Sequence, residues 1–149
     1  MKIDENTDHY ILTLKDYEQG LRAGKMLGLR CRNCGEIMCP PMPVCCGCGG
    51  KELEKTEMGG EGELMAFTIT RVPPEGMDAP YIVCLVKLSE GPWVMGRLDH
   101  DPEKITPEML GRKVKVSGAY AWSDKFSAGE HTCPVFKVCL LYTSPSPRD

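Results

Sequence analysis

Two CxxC pairs constrain this chain more than any other feature. The stretch from Cys31 reads CRNCGEIMCPPMPVCCGCGG, with pairs Cys31/Cys34 and Cys45/Cys48 separated by ten residues. Glycine directly follows Cys34, Cys46 and Cys48. Each CxxC forms a tight knuckle that aims two thiolates at one centre, and small residues beside it let backbone N–H groups approach the sulfurs. Two such knuckles place four sulfurs at ~2.3 Å around a tetrahedral zinc ion. The loop between them is shorter than in the usual two-knuckle pattern, but ten residues still make a ribbon turn. The predicted ligands are Cys31, Cys34, Cys45 and Cys48.

Other readings of these thiols fit less well. A disulfide cluster suits a secreted protein, whereas MKIDENTDHY is charged and carries no apolar signal segment. A redox CxxC usually comes as one pair beside a strand–helix pattern. Rubredoxin-like iron uses the same four-cysteine set, and spacing does not separate it from zinc. Cys39 and Cys46 lack the xx spacing and are read as non-ligands, with Cys46 able to compete with Cys45 through a one-residue slip.

The 149 residues hold one domain, or one small domain plus a metal module, and the formal net charge is −3. An acidic chain is a poor non-specific ligand for nucleic acid or anionic membrane. The longest apolar run, Tyr81 to Val86, is far shorter than the ~20 residues that cross a bilayer. These features predict a soluble cytoplasmic protein in a reducing compartment.

In chain order, residues 1–12 are polar and read as a loose N-terminus. Thr13-Leu14-Lys15-Asp16 fits a capping box, opening a helix from about Leu14 to Ala23 that stops near Gly24. Its apolar face is narrow: Tyr17 and Leu21, with Leu14 on the same side. Gly20 weakens its interior. Met26 to Arg30 leads as a short strand into the first knuckle, so residues 13–50 form a helix-plus-ribbon unit and 51–62 a polar linker. From Glu63 the pattern turns to period two, with Met65, Phe67 and Ile69 on one face and Leu64, Thr68 and Thr70 on the other. Further strands are expected at Tyr81–Leu88, Trp93–Leu98, Lys113–Tyr120 and Pro134–Val138. Thr106 to Gly111 is a single helical turn with proline at its first position, and Ser123 to Thr132 a polar loop. Five strands with a short helix between the third and fourth match an OB-fold barrel over residues 63–138; a two-sheet sandwich wants about seven. The fold class is mainly β: N-terminal helix, rubredoxin-like zinc ribbon, five-stranded OB-fold barrel.

Residues 139–149, CLLYTSPSPRD, break the pattern. They resemble the frame-shifted translation of a transposon adaptor used in sequencing libraries, and are read as a non-native tail in which Cys139 has no function.

Combined with the barrel, the motifs resemble the zinc-ribbon/OB-fold proteins that accompany thiolases and other acyl-CoA enzymes. The matching pieces are Tyr17-Glu18-Gln19-Gly20-Leu21 with Gly24-Lys25, Cys31 to Gly35, Pro40-Pro41 and Cys45 to Gly49. In the barrel they are Gly62 to Thr70, Ala79-Pro80-Tyr81 and Gly91 to Gly96. Cys46 departs from the family, whose ribbons often carry proline there. The resemblance implies a non-catalytic scaffold subunit that binds a thiolase-type enzyme, some members also helping to hold coenzyme A. It implies docking through the helix and ribbon, with the barrel facing the partner or the acyl-CoA.

A search for catalytic residues agrees in part. His9 lies in the loose start, His100 in the turn Asp99-His100-Asp101, and His131 two residues before Cys133 without an orienting third group. Cys84 reads as core packing, and no phosphate loop or dinucleotide fingerprint occurs. A closed four-thiolate centre has no open position for substrate. The alternative function is single-stranded nucleic-acid binding, which wants exposed aromatics along a basic groove. Tyr120 and Trp122 alternate onto one face, with Lys113, Lys115 and Lys125 in the same region. Coenzyme A phosphates could use the same lysines, or Arg71, Arg97 and Arg112.

Overall fold

Thr13 starts the first of the described elements. In the computed structural model, which describes residues 12–74, 77–123 and 129–139, helix α1 spans Leu14–Arg22. The Thr13 hydroxyl accepts from the Asp16 backbone N–H at 3.1 Å, and the Asp16 carboxylate accepts from the Thr13 N–H at 3.0 Å. The predicted capping box is therefore formed in both directions. Tyr17 and Leu21 are buried, and Gly24, at φ 83°, ends the helix. The expectations for residues 1–11, Glu75-Gly76, residues 124–128 and the tail from 140 onward, His9 and Lys125 included, lie outside the described residues.

The chain divides into two compact units, Met1–Gly59 and Gly60–Asp149. In the first, strands β1 (Met26–Cys31), β2 (Ile37–Met38) and β3 (Leu53–Met58) form an antiparallel sheet in the order β2-β1-β3. Leu29 faces Met38, while Met26 through Cys31 pair with Met58 through Leu53. Leu12, Leu29, Cys31, Met38, Cys45 and Leu53 close into a small core.

Strand β3 corrects the reading of residues 51–62 as a polar linker. Only Leu53 and Met58, its ends, are buried, so hydrophobic alternation does not announce it. Its order comes from backbone pairing with the whole of β1. Gly60 to Gly62 belong to the second unit.

The second unit is a closed barrel of five strands, β4 (Glu61–Thr70), β5 (Tyr81–Leu88), β6 (Trp93–Leu98), β7 (Lys113–Ser123) and β8 (Glu130–Val138), ordered β4-β5-β6-β8-β7. A 3₁₀ turn at Pro107–Met109 lies between the third and fourth strands. This is the expected OB-fold. Leu64, Ile82, Cys84, Val86, Leu88, Val94, Val114 and Phe136 are almost fully buried inside it. At Gly96 an added Cβ would run into the Pro134 carbonyl, so glycine is required where β8 crosses β6.

Two details differ from the period-two reading. The β4/β5 register shifts between Leu64 and Ala66, a bulge that puts Leu64 opposite Val86 and Phe67 opposite Cys84. Val86 and Cys84 are both buried, so Leu64 joins Phe67 and Ile69 on the inner face instead of the outer one. The stretch Ser123 to Thr132, expected to be a loop, contributes Glu130–Thr132 to β8. Pairing of Trp122 with His131 and Ala121 with Thr132 carries the hairpin beyond the apolar segment.

Candidate functional site

The two knuckles are built alike. The Cys31 N–H donates to the Glu36 carbonyl, and the Gly35 N–H donates back to the Cys31 carbonyl at 2.9 Å. In the second, the Cys45 N–H donates to the Gly50 carbonyl and the Gly49 N–H to the Cys45 carbonyl, also at 2.9 Å. Gly35 and Gly49 hold equivalent places at φ 82° and 75°, a left-handed conformation that favours glycine.

The turns bring the four predicted sulfurs together. The Sγ atoms of Cys31, Cys34, Cys45 and Cys48 all lie within 4.8 Å of one another. Cys31 approaches Cys48 to 3.6 Å, and Cys34 approaches Cys45 to 3.4 Å. A tetrahedral ion with ligands at ~2.3 Å needs S···S separations of about 3.8 Å, so the donor set fits a small thiophilic ion.

Backbone donors surround the sulfurs. Gly47 and Cys48 N–H groups point at Cys45 Sγ at 3.3 and 3.5 Å, and the Asn33 side-chain amide at Cys48 Sγ at 3.6 Å. The Gly50 N–H, then Asn33, pull the Cys48 thiol down to about 6. The Cys48 N–H does most to lower Cys45. At Cys34 the Glu36 N–H favours the thiolate, but the crowding sulfurs of Cys45, Cys31 and Cys48 push it up to about 12. Four such thiolates share one centre comfortably only around a cation. Asn33, inside the first knuckle, was not singled out in the sequence.

The surplus thiols stay out of this cluster. Cys46 is exposed with its Sγ 3.9 Å from a Glu36 carboxylate oxygen. Cys39 is buried and directs its thiol to the Leu27 carbonyl at 3.6 Å. The register therefore selects Cys45 over Cys46.

On the barrel, register places Tyr81, Val83, Leu85 and Lys87 of β5 on the outer face. Trp93, Met95 and Arg97 of β6 lie beside them, with Val135, Cys133, Tyr120 and Trp122 following on β8 and β7. The Arg97 guanidinium is clamped between two rings, 3.9 Å from the Tyr81 centroid and 3.6 Å from that of Tyr120. Tyr120 stacks on Trp122 at 6.0 Å, and Trp122 meets His131 at 5.7 Å. Ala66, Thr68, Val83, Leu85 and Met95 help line a shallow apolar pocket of about 210 Å³.

The remaining candidates are dispersed. Lys113 and Lys115 pair with Glu63 and Glu61 at the far end of β7 from Tyr120, roughly 15 Å or more along the strand. Arg71 is bound to Glu103 at 3.0 Å. Cys84 is core, its thiol pushed up to about 12 by burial. No helix among the described residues is long and apolar enough to cross a membrane.

Two family models divide the chain between them. Residues 19–54 match the ChsH2 rubredoxin-like zinc ribbon domain, and residues 55–119 match the ChsH2 C-terminal OB-fold domain. A DUF35 domain-containing scaffold protein of Pyrococcus furiosus is 37% identical over 98 residues, covering 61% of this chain and 71% of that one. The chain belongs to the DUF35 family. The resemblance drawn from its motifs is thereby borne out, as is the ribbon-plus-barrel fold. Another relative is the benzoylsuccinyl-CoA thiolase subunit BbsA of Thauera aromatica, 30% identical over 81 residues, which are 54% of this chain and 56% of BbsA. Among solved structures, the Ltp2-ChsH2(DUF35) aldolase aligns with a TM-score of 0.62 and 27% identity, over 82% of this chain and 91% of that one. The two ChsH2 domain models meet between Glu54 and Lys55, inside β3.

Proposed function

We propose that this chain is a non-catalytic accessory subunit that binds a thiolase-type acyl-CoA enzyme in the cytoplasm. The observation that carries this reading is the recurrence of its ribbon and barrel in relatives named as scaffolds and as a thiolase subunit. The solved aldolase neighbour points the same way. The chemistry is consistent with it: the clustered cysteines suit a closed structural zinc centre, and such a centre has no open coordination position for substrate. The ribbon unit exposes Leu14, Met42 and Val44, apolar side chains available for docking. Coenzyme A is the small molecule such a complex would hold, with the barrel as its candidate wall. The nucleic-acid alternative has its stacked aromatic pair, but Lys113 and Lys115 do not flank it.

Affinity capture from a native lysate with the full chain as bait, followed by mass spectrometry, tests the proposal. A thiolase or related acyl-CoA enzyme in near-stoichiometric amount is the expected result. Recovery of nucleic acid with no acyl-CoA enzyme would overturn it.

A further inference from the structure

Strand β3 presents an open outer edge. It lies at one side of the sheet β2-β1-β3, and β1 is its one neighbour among the described residues. Arg32 sets the hydrogen-bond phase of that pairing: its N–H donates to the Glu52 carbonyl opposite at 2.8 Å. Bonded pairs alternate along an antiparallel ladder. Glu54, Thr56 and Met58 therefore turn their backbone groups toward β1, and Lys55 and Glu57 turn theirs outward. Neither Lys55 nor Glu57 has an outward backbone partner among the described residues, and both side chains are exposed.

We propose that β3 pairs antiparallel with the β3 of a second copy of this chain, about a two-fold axis at Thr56. Two ribbon sheets then join into one of six strands. The pairing is independent of the accessory role.

Charge and hydrogen-bond phase select this occupant together. Around an axis at Thr56, Lys55 of each copy stands opposite Glu57 of the other, and these are the residues with outward backbone groups. Each such pair exchanges both N–H···O=C bonds and sets opposite charges side by side, which stabilises a sheet. At the axis Thr56 meets Thr56 in a close non-bonded pair, also a favourable cross-strand contact. The adjacent registers, with axes at residues 55 or 57, set Lys55 against Lys55 or Glu57 against Glu57. Like charges directly opposite are destabilising, so the pattern specifies one register. It is self-complementary, as a two-fold interface must be.

The edge lacks the usual guards against self-pairing. Natural edges carry proline, a bulge or lysines. Leu53 to Met58 reads LEKTEM, without proline and with its one lysine between two glutamates, and its pairing with β1 has no register shift. Glu54 is held by Arg32 at 3.1 Å and brings no unmatched charge to the join. Helix α1 leaves room for the approach. Gly20 sits against Leu27 of β1, which puts the helix over that strand. Three strand spacings separate the two β1 strands of the joined sheet, so their helices stand roughly 14 Å apart, wider than the 8–10 Å of helices in contact. A six-residue edge is small against the ~1,000 Å² of a stable interface, so the association should depend on concentration.

Sedimentation equilibrium of the metal-loaded full chain tests the pairing. The wild type is compared with Lys55→Glu, Glu57→Lys and the double exchange, each checked for metal content and thermal midpoint. The wild type is expected to dimerise reversibly. Lys55→Glu sets carboxylate against carboxylate at both pairs and Glu57→Lys sets ammonium against ammonium, so each should weaken association about tenfold. The double exchange restores opposite charges and should recover it. An equimolar mixture of the two single variants should recover it too, which a residue that merely supports the ribbon would not produce. A wild type that stays monomeric up to about 1 mM would overturn the proposal, as would single variants within twofold of wild type or a mixture without recovery. Amide exchange at Lys55 and Glu57 should slow as protein concentration rises. Slowing only in the presence of a captured acyl-CoA enzyme would mean that the edge takes a strand of that enzyme, and would overturn the second-copy pairing. Dimerisation with recovery in the mixture supports the pairing whether or not an acyl-CoA enzyme is captured, so the two readings fail separately.

Discussion

The Sγ atoms of Cys34 and Cys45 lie 3.4 Å apart, across a loop of ten residues. Met38 and Cys45 tie parts of that loop into the small core of the ribbon unit, and a metal ion held by the four sulfurs would clip the rest. In small zinc modules metal binding and folding are one event, with about 10–16 kcal/mol of binding energy. One zinc per chain is expected by elemental analysis. Cys34→Ser should lose it together with the near-UV signal of the ribbon unit, whereas Cys46→Ser should retain it. A folded, metal-free wild-type chain would contradict this.

The cap at Thr13 makes a second expectation. Thr13→Ala removes the hydroxyl that accepts from the Asp16 N–H, while its own backbone N–H still donates to the Asp16 carboxylate; the loss should cost about 1 kcal/mol, read as a shift in the denaturant midpoint. The Thr13 backbone N–H, then its hydroxyl, hold the Asp16 carboxyl below its ordinary 3.8. A depressed carboxyl stabilises the fold above its unfolded value and loses that contribution as pH falls through its folded value. The difference between wild type and Asp16→Asn should therefore be constant above pH 5 and shrink below about 3.8.

These two features were legible because each is local: CxxC spacing and a capping box are complete within four residues. The barrel's strands were legible from alternation and from the breaks at Pro73-Pro74 and Ser89 to Pro92. What escaped is set by distant partners. Strand β3 carries apolar side chains only at its ends and is ordered by β1. The bulge beside Met65 exists because β5 holds Val86 and Cys84 in register, so Leu64 reads as outward until that strand is placed. The Arg97 slot takes its walls from β5 and β7, far apart in the chain, and no local pattern encodes it.

Gly96 and Phe136 test the barrel closure. A Cβ at Gly96 would collide with the backbone carbonyl of Pro134, which cannot swing aside as a side chain would. Gly96→Ala should destabilise the barrel by about 1–3 kcal/mol through overpacking. Phe136 is fully buried, and Phe136→Ala should cost about 3–5 kcal/mol. Urea unfolding monitored by tryptophan fluorescence measures both, and the smaller loss at Phe136 would mean that β8 does not close the barrel.

Thiol reactivity reports on both units in one experiment. The nucleophile is the thiolate, and access governs its rate. Burial pushes Cys84 up to about 12, so at pH 8 it is almost wholly protonated as well as shielded. Cys39 is buried too. In the metal-loaded chain the four clustered sulfurs would be engaged, leaving exposed Cys46 as the fast site ahead of the half-buried Cys133 and Cys139. Iodoacetamide at pH 8 with peptide mapping should label Cys46 first, with Cys84 and Cys39 protected until denaturant is added. Chelation should then open Cys34 and Cys48, which are exposed, before Cys84, since the metal clips only the ribbon. Labelling of Cys84 in step with Cys34 on chelation would show that loss of the metal also unfolds the barrel, and that the two units are not independently stable.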